Sequence, residues 1–227
     1  MSLKHHALLP QKEPNQATEA HSVGLSRSLS RRTFLKYALV GAMAAGAIPA
    51  LSHFSSALAA EPEGNSILIL YFSHSGNTRK VAEQIHTRMG GDLIELNTVS
   101  PYPRDYDAVV EQAKQEQRDN ARPQISTEIP NLAAYDTVFI GFPNWWGTMP
   151  MLFFTLLETY DLGGKTIVPF CTHGGSRLGR AEDDLKRLCP RANILKGFEV
   201  SGSRASDAQG AVDAWLRKAG LLAEALL

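Results

Sequence analysis

Between residues 66 and 220 short apolar runs alternate with segments of helical period, and few folds accommodate that alternation. Ser66 to Phe72, "SILILYF", is a continuous apolar run of the kind found in strands buried on both faces. Asn77 to Met89 places Val81, Ala82, Ile85 and Met89 at helical spacing, and Gly90-Gly91 stops it. Asp92 to Leu96 reads as a short strand. Residues 105 to 119 read as a charged helix with a thin apolar stripe of Ala108, Val109 and Ala113. Thr137 to Phe142 predicts a strand and Pro150 to Tyr160 an apolar helix with proline in its first turn. Thr166 to Cys171 is a fourth strand, and Leu178 to Leu188 a helix closed by Cys189-Pro190. Asn193 to Val200 holds a fifth strand, and Asp207 to Ala219 the last helix, ended by Gly220. The expected fold is α/β: a three-layer, doubly wound, five-stranded parallel sheet with helices on both faces.

In such sheets ligands bind outside the carboxyl ends of the strands. The first strand runs into Ser73-His74-Ser75-Gly76-Asn77-Thr78 and then directly into a helix. Unpaired N–H groups and the positive end of the helix dipole favour an anion there. Ser73, Ser75 and Thr78 add hydroxyls, Asn77 an amide, and Gly76 the freedom to close the backbone around the anion. The loop has no lysine and neither GxxxxGK[ST] nor GxGxxG, so nucleotide triphosphates and dinucleotides are poor fits. A terminal monophosphate held by neutral donors fits. A plain helix cap would use one or two such residues, not a whole loop. The third strand runs into "GFPNWWGTMP", where two adjacent tryptophans point opposite ways and at least one should face a cleft. The fourth runs into "CTHGGSRLGR", a glycine-rich loop suited to close backbone approach to a flat ligand.

These stretches match a family in order and at compatible spacing. "YFSHSGNTRKVAEQI" resembles the phosphate loop for flavin mononucleotide (FMN) in flavodoxins. "GFPNWWGTMP" and "PFCTHGGSRLG" are similar to the second and third flavin-contacting loops of the flavodoxin-like family, and "SPYPRDYD" extends the resemblance over roughly residues 66 to 220. The resemblance implies strand order 2-1-3-4-5 and non-covalent FMN. It assigns Ser73, Ser75, Gly76, Asn77 and Thr78, with the His74 backbone, to the phosphate. It assigns Pro143, Asn144, Trp145, Trp146 and Gly147 to the isoalloxazine, and Thr172, His173, Gly174 and Gly175 to its pyrimidine edge. Asn144 departs from the apolar residue more usual at its position. Gly147 could turn its carbonyl toward the flavin N5. His173 is the only ionisable side chain in these loops suited to proton donation, with loop capping as the competing role. Tyr102 and Tyr106 could overhang the cleft or pack in the core.

The first 60 residues read differently. "SRRTFLK", Ser30 to Lys36, resembles the twin-arginine export motif. From Tyr37 to Ala60 only His53 can carry charge, and Ala57-Leu58-Ala59 has the small-x-small pattern of a cleavage site. The resemblance implies the twin-arginine export machinery as a partner and a periplasmic or extracytoplasmic destination. Because that route carries folded proteins, it also suits a cofactor inserted before export. An uncleaved membrane anchor is the rival reading. The domains are therefore 1–60, a disordered region with its signal, and 61–227, the FMN-binding domain.

Of 23 basic and 23 acidic residues, six and two lie within residues 1–59. The rest therefore carries 17 against 21, a net of −4, which gives no reason to expect nucleic acid. Cys171 and Cys189 lack a CxxC partner and read as buried thiols, although an oxidising compartment would permit a disulfide. The tail "LLAEALL" either extends the last helix or packs on a partner, such as a second copy in a homodimer. Two functions compete: an electron carrier served by a redox partner protein or membrane quinol, and an FMN-dependent reductase of a small acceptor such as a quinone. In both the flavin carries the electrons and the protein tunes it.

Overall fold

The computed structural model describes residues 66–223. The twin-arginine stretch, the cleavage site and the rest of residues 1–60 lie outside the described residues. Six strands are present: β1 (Ile67–Tyr71), β2 (Asp92–Glu95), β3 (Thr137–Pro143), β4 (Thr166–His173), β5 (Asn193–Ile194) and β6 (Phe198–Ser201). The helices are α1 (Asn77–Met89), α2 (Tyr106–Arg118), α3 (Met151–Thr159), α4 (Ala181–Leu188) and α5 (Gln209–Lys218). Short 3-10 turns occupy Leu132–Ala134 and Gly202–Asp207. All pairings between these strands are parallel, in the order β2-β1-β3-β4-β5, with β6 also on β4.

Strand alternation divides the apolar residues between two cores. On β1 and at the residue after it, Leu68, Leu70 and Phe72 join the core shared with α2, α3 and α4, while Ile67, Ile69 and Tyr71 join the one shared with α1 and α5. Gly141 in β3 has no side chain because Phe170 of β4 fills its place: a Cβ there would lie 2.0 Å from the ring. Gly141→Ala would therefore push β3 and β4 apart next to the strand ends.

The expected fifth strand is broken in two, and Pro169 supplies a reason. Leu195 N–H donates to Ile167 O at 2.9 Å, so odd-numbered residues of this part of β4 face β5 and β6. Pro169 faces the same way and has no N–H to offer. The neighbouring strand leaves the ladder between Ile194 and Phe198 and rejoins it opposite Phe170. In α2, Val109 and Ala113 are buried as expected, but Ala108 is exposed. Gly220, at φ 72°, ends the last helix. Leu221 and Leu222 then pack on the chain's own core, so at these two positions the tail does not extend α5.

Candidate cofactor site

β1 delivers Phe72 into the sheet, where its N–H still donates to Gly141 O, and the chain then turns over the end of the sheet. Gly76 takes φ 85° at the N-cap of α1, a left-handed conformation suited to glycine, and no side chain caps the helix. The first N–H groups of α1 are thus left for a ligand. In the loop that leads into α1 the Ser73 hydroxyl is buried with no hydrogen-bond partner among the described residues. Stranding a buried hydroxyl costs about 1–3 kcal/mol, so its survival argues for a missing partner. Ser75 and Asn77 line the adjoining cleft, a cavity of about 680 Å³. Thr78 does not: its buried hydroxyl pairs with that of Thr172 at 2.8 Å, tying α1 to the end of β4. The His74 ring also has a structural task. Its Nε2 meets Pro103 O at 2.6 Å, and the ring lies edge-on to Trp145.

The second loop is a tight turn. Trp145 and Thr148 exchange backbone hydrogen bonds across Trp146 and Gly147, both of which have positive φ, 53° and 85°. That is the signature of a type I′ turn, and a left-handed tryptophan costs roughly 1–2 kcal/mol. Helix α2 holds it there. Trp146 Nε1–H donates to Val110 O at 3.0 Å, and Lys114 Nζ stands 5.3 Å from the ring centroid. Trp145 instead packs edge-on against Phe72 and Tyr102. Asn144 braces the loop from within, accepting from Gly147 N–H at 2.9 Å and donating to Arg177 O at 2.8 Å. The departure at this position thus links two loops. Gly147 is engaged by the third loop in this conformation. Its carbonyl accepts Arg180 N–H at 2.9 Å, turned toward the third loop, and Gly147 does not line the cleft.

A buried carboxylate anchors the base of this loop. Asp184 accepts from Thr148 Oγ1 at 2.7 Å and pairs with Arg180 and Arg187. Burial alone would raise its carboxyl, but these three donors outweigh burial and hold it below the usual range. In the third loop, His173 Nδ1 accepts Gly175 N–H at 2.9 Å. The ring therefore caps its loop and keeps its proton on Nε2 when neutral. Glu199 binds Leu178 N–H at 3.0 Å and pairs with Arg177, closing the far side of the loop. Cys171 and Cys189 are free and buried, and burial pushes their thiols up to about 12 and about 11. Neither has the character of a nucleophile.

Ten of the fifteen residues singled out in the sequence line one cleft: His74, Ser75, Asn77, Pro143, Asn144, Trp145, Trp146, Thr172, His173 and Gly174. Ser73, Gly76, Thr78, Gly147 and Gly175 are not part of its lining. Tyr106 overhangs the cleft and is 75% exposed, whereas Tyr102 is in the core with its hydroxyl on Glu116. Two walls carried no motif: α2, through Val109, Val110 and Ala113, and the turn Ser201-Gly202-Ser203 after β6. One end of the cleft is thus polar and the other apolar and aromatic, as a phosphorylated ring compound requires.

The sequence model of the family described as Flavodoxin matches residues 66–219. This chain belongs to the flavodoxin family. None of the curated proteins matches it. Two solved structures resemble this flavodoxin-family chain over nearly their full length. One is a candidate flavoprotein from Bacteroides eggerthii, 34% identical, covering 69% of this chain and 99% of its own, with TM-score 0.62. The other is a candidate flavoprotein from Bacteroides uniformis, 31% identical, covering 68% and 99%, with TM-score 0.61. A Lactobacillus acidophilus flavoprotein in complex with FMN shares the fold at 23% identity, covering 64% and 99%, with TM-score 0.53.

Proposed function

We propose that this flavodoxin-family chain is an exported protein that binds FMN non-covalently and acts in electron transfer. The observation that carries the cofactor reading is the Ser73 hydroxyl, buried in the loop that leads into the uncapped start of α1 and without a partner among the described residues. A phosphate at that place satisfies both. Ser75 and Asn77 lie next to it at the polar end, and the Trp145–Trp146 turn offers an aromatic wall at the other. The complex of the Lactobacillus acidophilus flavoprotein supports FMN as a ligand of this fold. Bound FMN supplies one- and two-electron redox chemistry; the chain binds it, shields it and shapes its surroundings.

A protein or membrane-quinol donor suits this site better than a nicotinamide. Arg177 and Arg180, the cations of the third loop, are already paired with Glu199 and Asp184. The export motif points to a compartment without a nicotinamide pool. The alternative, reduction of a small acceptor such as a quinone, draws on Tyr106 and Trp146, exposed aromatics lining the same cleft. One experiment separates the two. Anaerobic mixing of the FMN-loaded protein with NADH or NADPH should leave the yellow colour unbleached, and chemical titration should reduce it in two resolved one-electron steps. Saturable bleaching within seconds, with a single two-electron step, would make the protein a reductase.

A further inference from the structure

The cleft has a wall that none of the three strand-end loops supplies. β6 ends at Ser201, in register with His173 of β4, and the chain turns through Gly202 and Ser203 along the polar end of the cavity. The two serine hydroxyls are 3.0 Å apart. This turn is fixed to the helix that begins at the phosphate loop. Gln84 of α1 donates to Ala205 O at 2.8 Å, Lys80 reaches Ser206 Oγ at 3.1 Å, and Ala205 is fully buried.

Gly202 is not required by its backbone, because its φ is outside the left-handed region. It is required by its neighbour. A Cβ at this position would lie 2.8 Å from Asn77 Nδ2 and 3.6 Å from Asn77 Cγ. Asn77 is the first residue of α1, lines the same cleft, and among the described residues its carboxamide has no protein partner. Backbone therefore roofs a free amide at the place where the phosphate loop needs a donor.

We infer that Ser201-Gly202-Ser203 is a fourth binding segment of the cofactor site. Gly202 is a positioning residue that leaves room for the Asn77 amide at the phosphate end. The Ser201 and Ser203 hydroxyls offer donors and acceptors to the hydroxyls of the polyol chain that joins phosphate to ring. This rests on the FMN reading.

The test is equilibrium titration of the full-chain apoprotein with FMN and with riboflavin, followed by flavin fluorescence. The proteins are wild type, Gly202→Ala, Asn77→Ala, the double variant and Ser203→Ala. One charge-assisted hydrogen bond corresponds to about tenfold or more in affinity. Gly202→Ala and Asn77→Ala should each weaken FMN by about that factor and riboflavin much less, because only FMN has the phosphate. The double variant should lose no more than the worse single one, since both act through one amide. Ser203→Ala, at an exposed position, should weaken both flavins several-fold without changing Tm. FMN binding by Gly202→Ala equal to wild type would overturn the inference, as would additive losses in the double variant. If Gly202→Ala does not fold, wild-type affinity of Ser203→Ala for both flavins overturns the polyol contact by itself. Wild-type protein that takes up no flavin would overturn the cofactor reading and this inference with it.

Discussion

Trp146 occupies a backbone conformation that a bulky residue keeps only under restraint, and the restraints come from residues both near and distant in sequence. Val110 O holds the indole and Asn144 holds the next amide, while Asp184 holds Thr148 at the base of the turn. The Asp184 carboxyl is held low in the fold, so its stabilising contribution is complete above the unfolded carboxylate range and is lost as pH falls through the lower folded value. Asp184→Asn should therefore cost about 2 kcal/mol near neutral pH. In thermal melts the gap to wild type should close as pH drops below about 4, the usual carboxylate range. A gap constant with pH would show that charge is not the source. At this scale the sequence displays the phosphate-loop donors, because they are neighbours in the chain. It conceals their partners. Thr78 pairs with Thr172, 94 residues away, and the Gly147 carbonyl is claimed by Arg180, so neither orientation can be read locally.

Among the elements, α2 has the least obvious role. Its period marks the buried stripe, and the structure keeps Val109 and Ala113 there. The period does not reveal that the same helix supplies the Val110 carbonyl that holds Trp146, or that Tyr106 in its first turn overhangs the cleft. Asp105 caps this helix by accepting Ala108 N–H at 2.9 Å. Asp105→Ala should cost about 1 kcal/mol of stability. Because the first turn then frays beside the cleft, flavin affinity should fall with it. Unchanged affinity in a destabilised variant would separate α2 from the site. The fifth strand shows the same limit: "NILKGFEV" reads as one apolar-rich strand, and the break follows from Pro169 on a different strand. The buried β1, β3 and β4 were legible because hydrophobic content alone marks them.

For the whole chain, the sheet order and the strand-end cleft bear on where FMN would bind, while the proposed twin-arginine export bears on where the protein would work. If the twin-arginine reading is right, changing both Arg31 and Arg32 to Lys should leave the protein in the cytoplasm, folded and flavin-loaded. Periplasmic recovery equal to wild type would contradict it. The end of the cleft at α1 is proposed as a phosphate site, and the Ser73 hydroxyl is the group with which to probe it. That hydroxyl has no partner among the described residues, so Ser73→Ala should leave the Tm of the apoprotein unchanged or raise it. If a phosphate is the missing partner, the same substitution should weaken FMN about tenfold in equilibrium titration and leave riboflavin nearly unaffected. A loss shared equally by the two flavins, or no loss for either, would contradict the account.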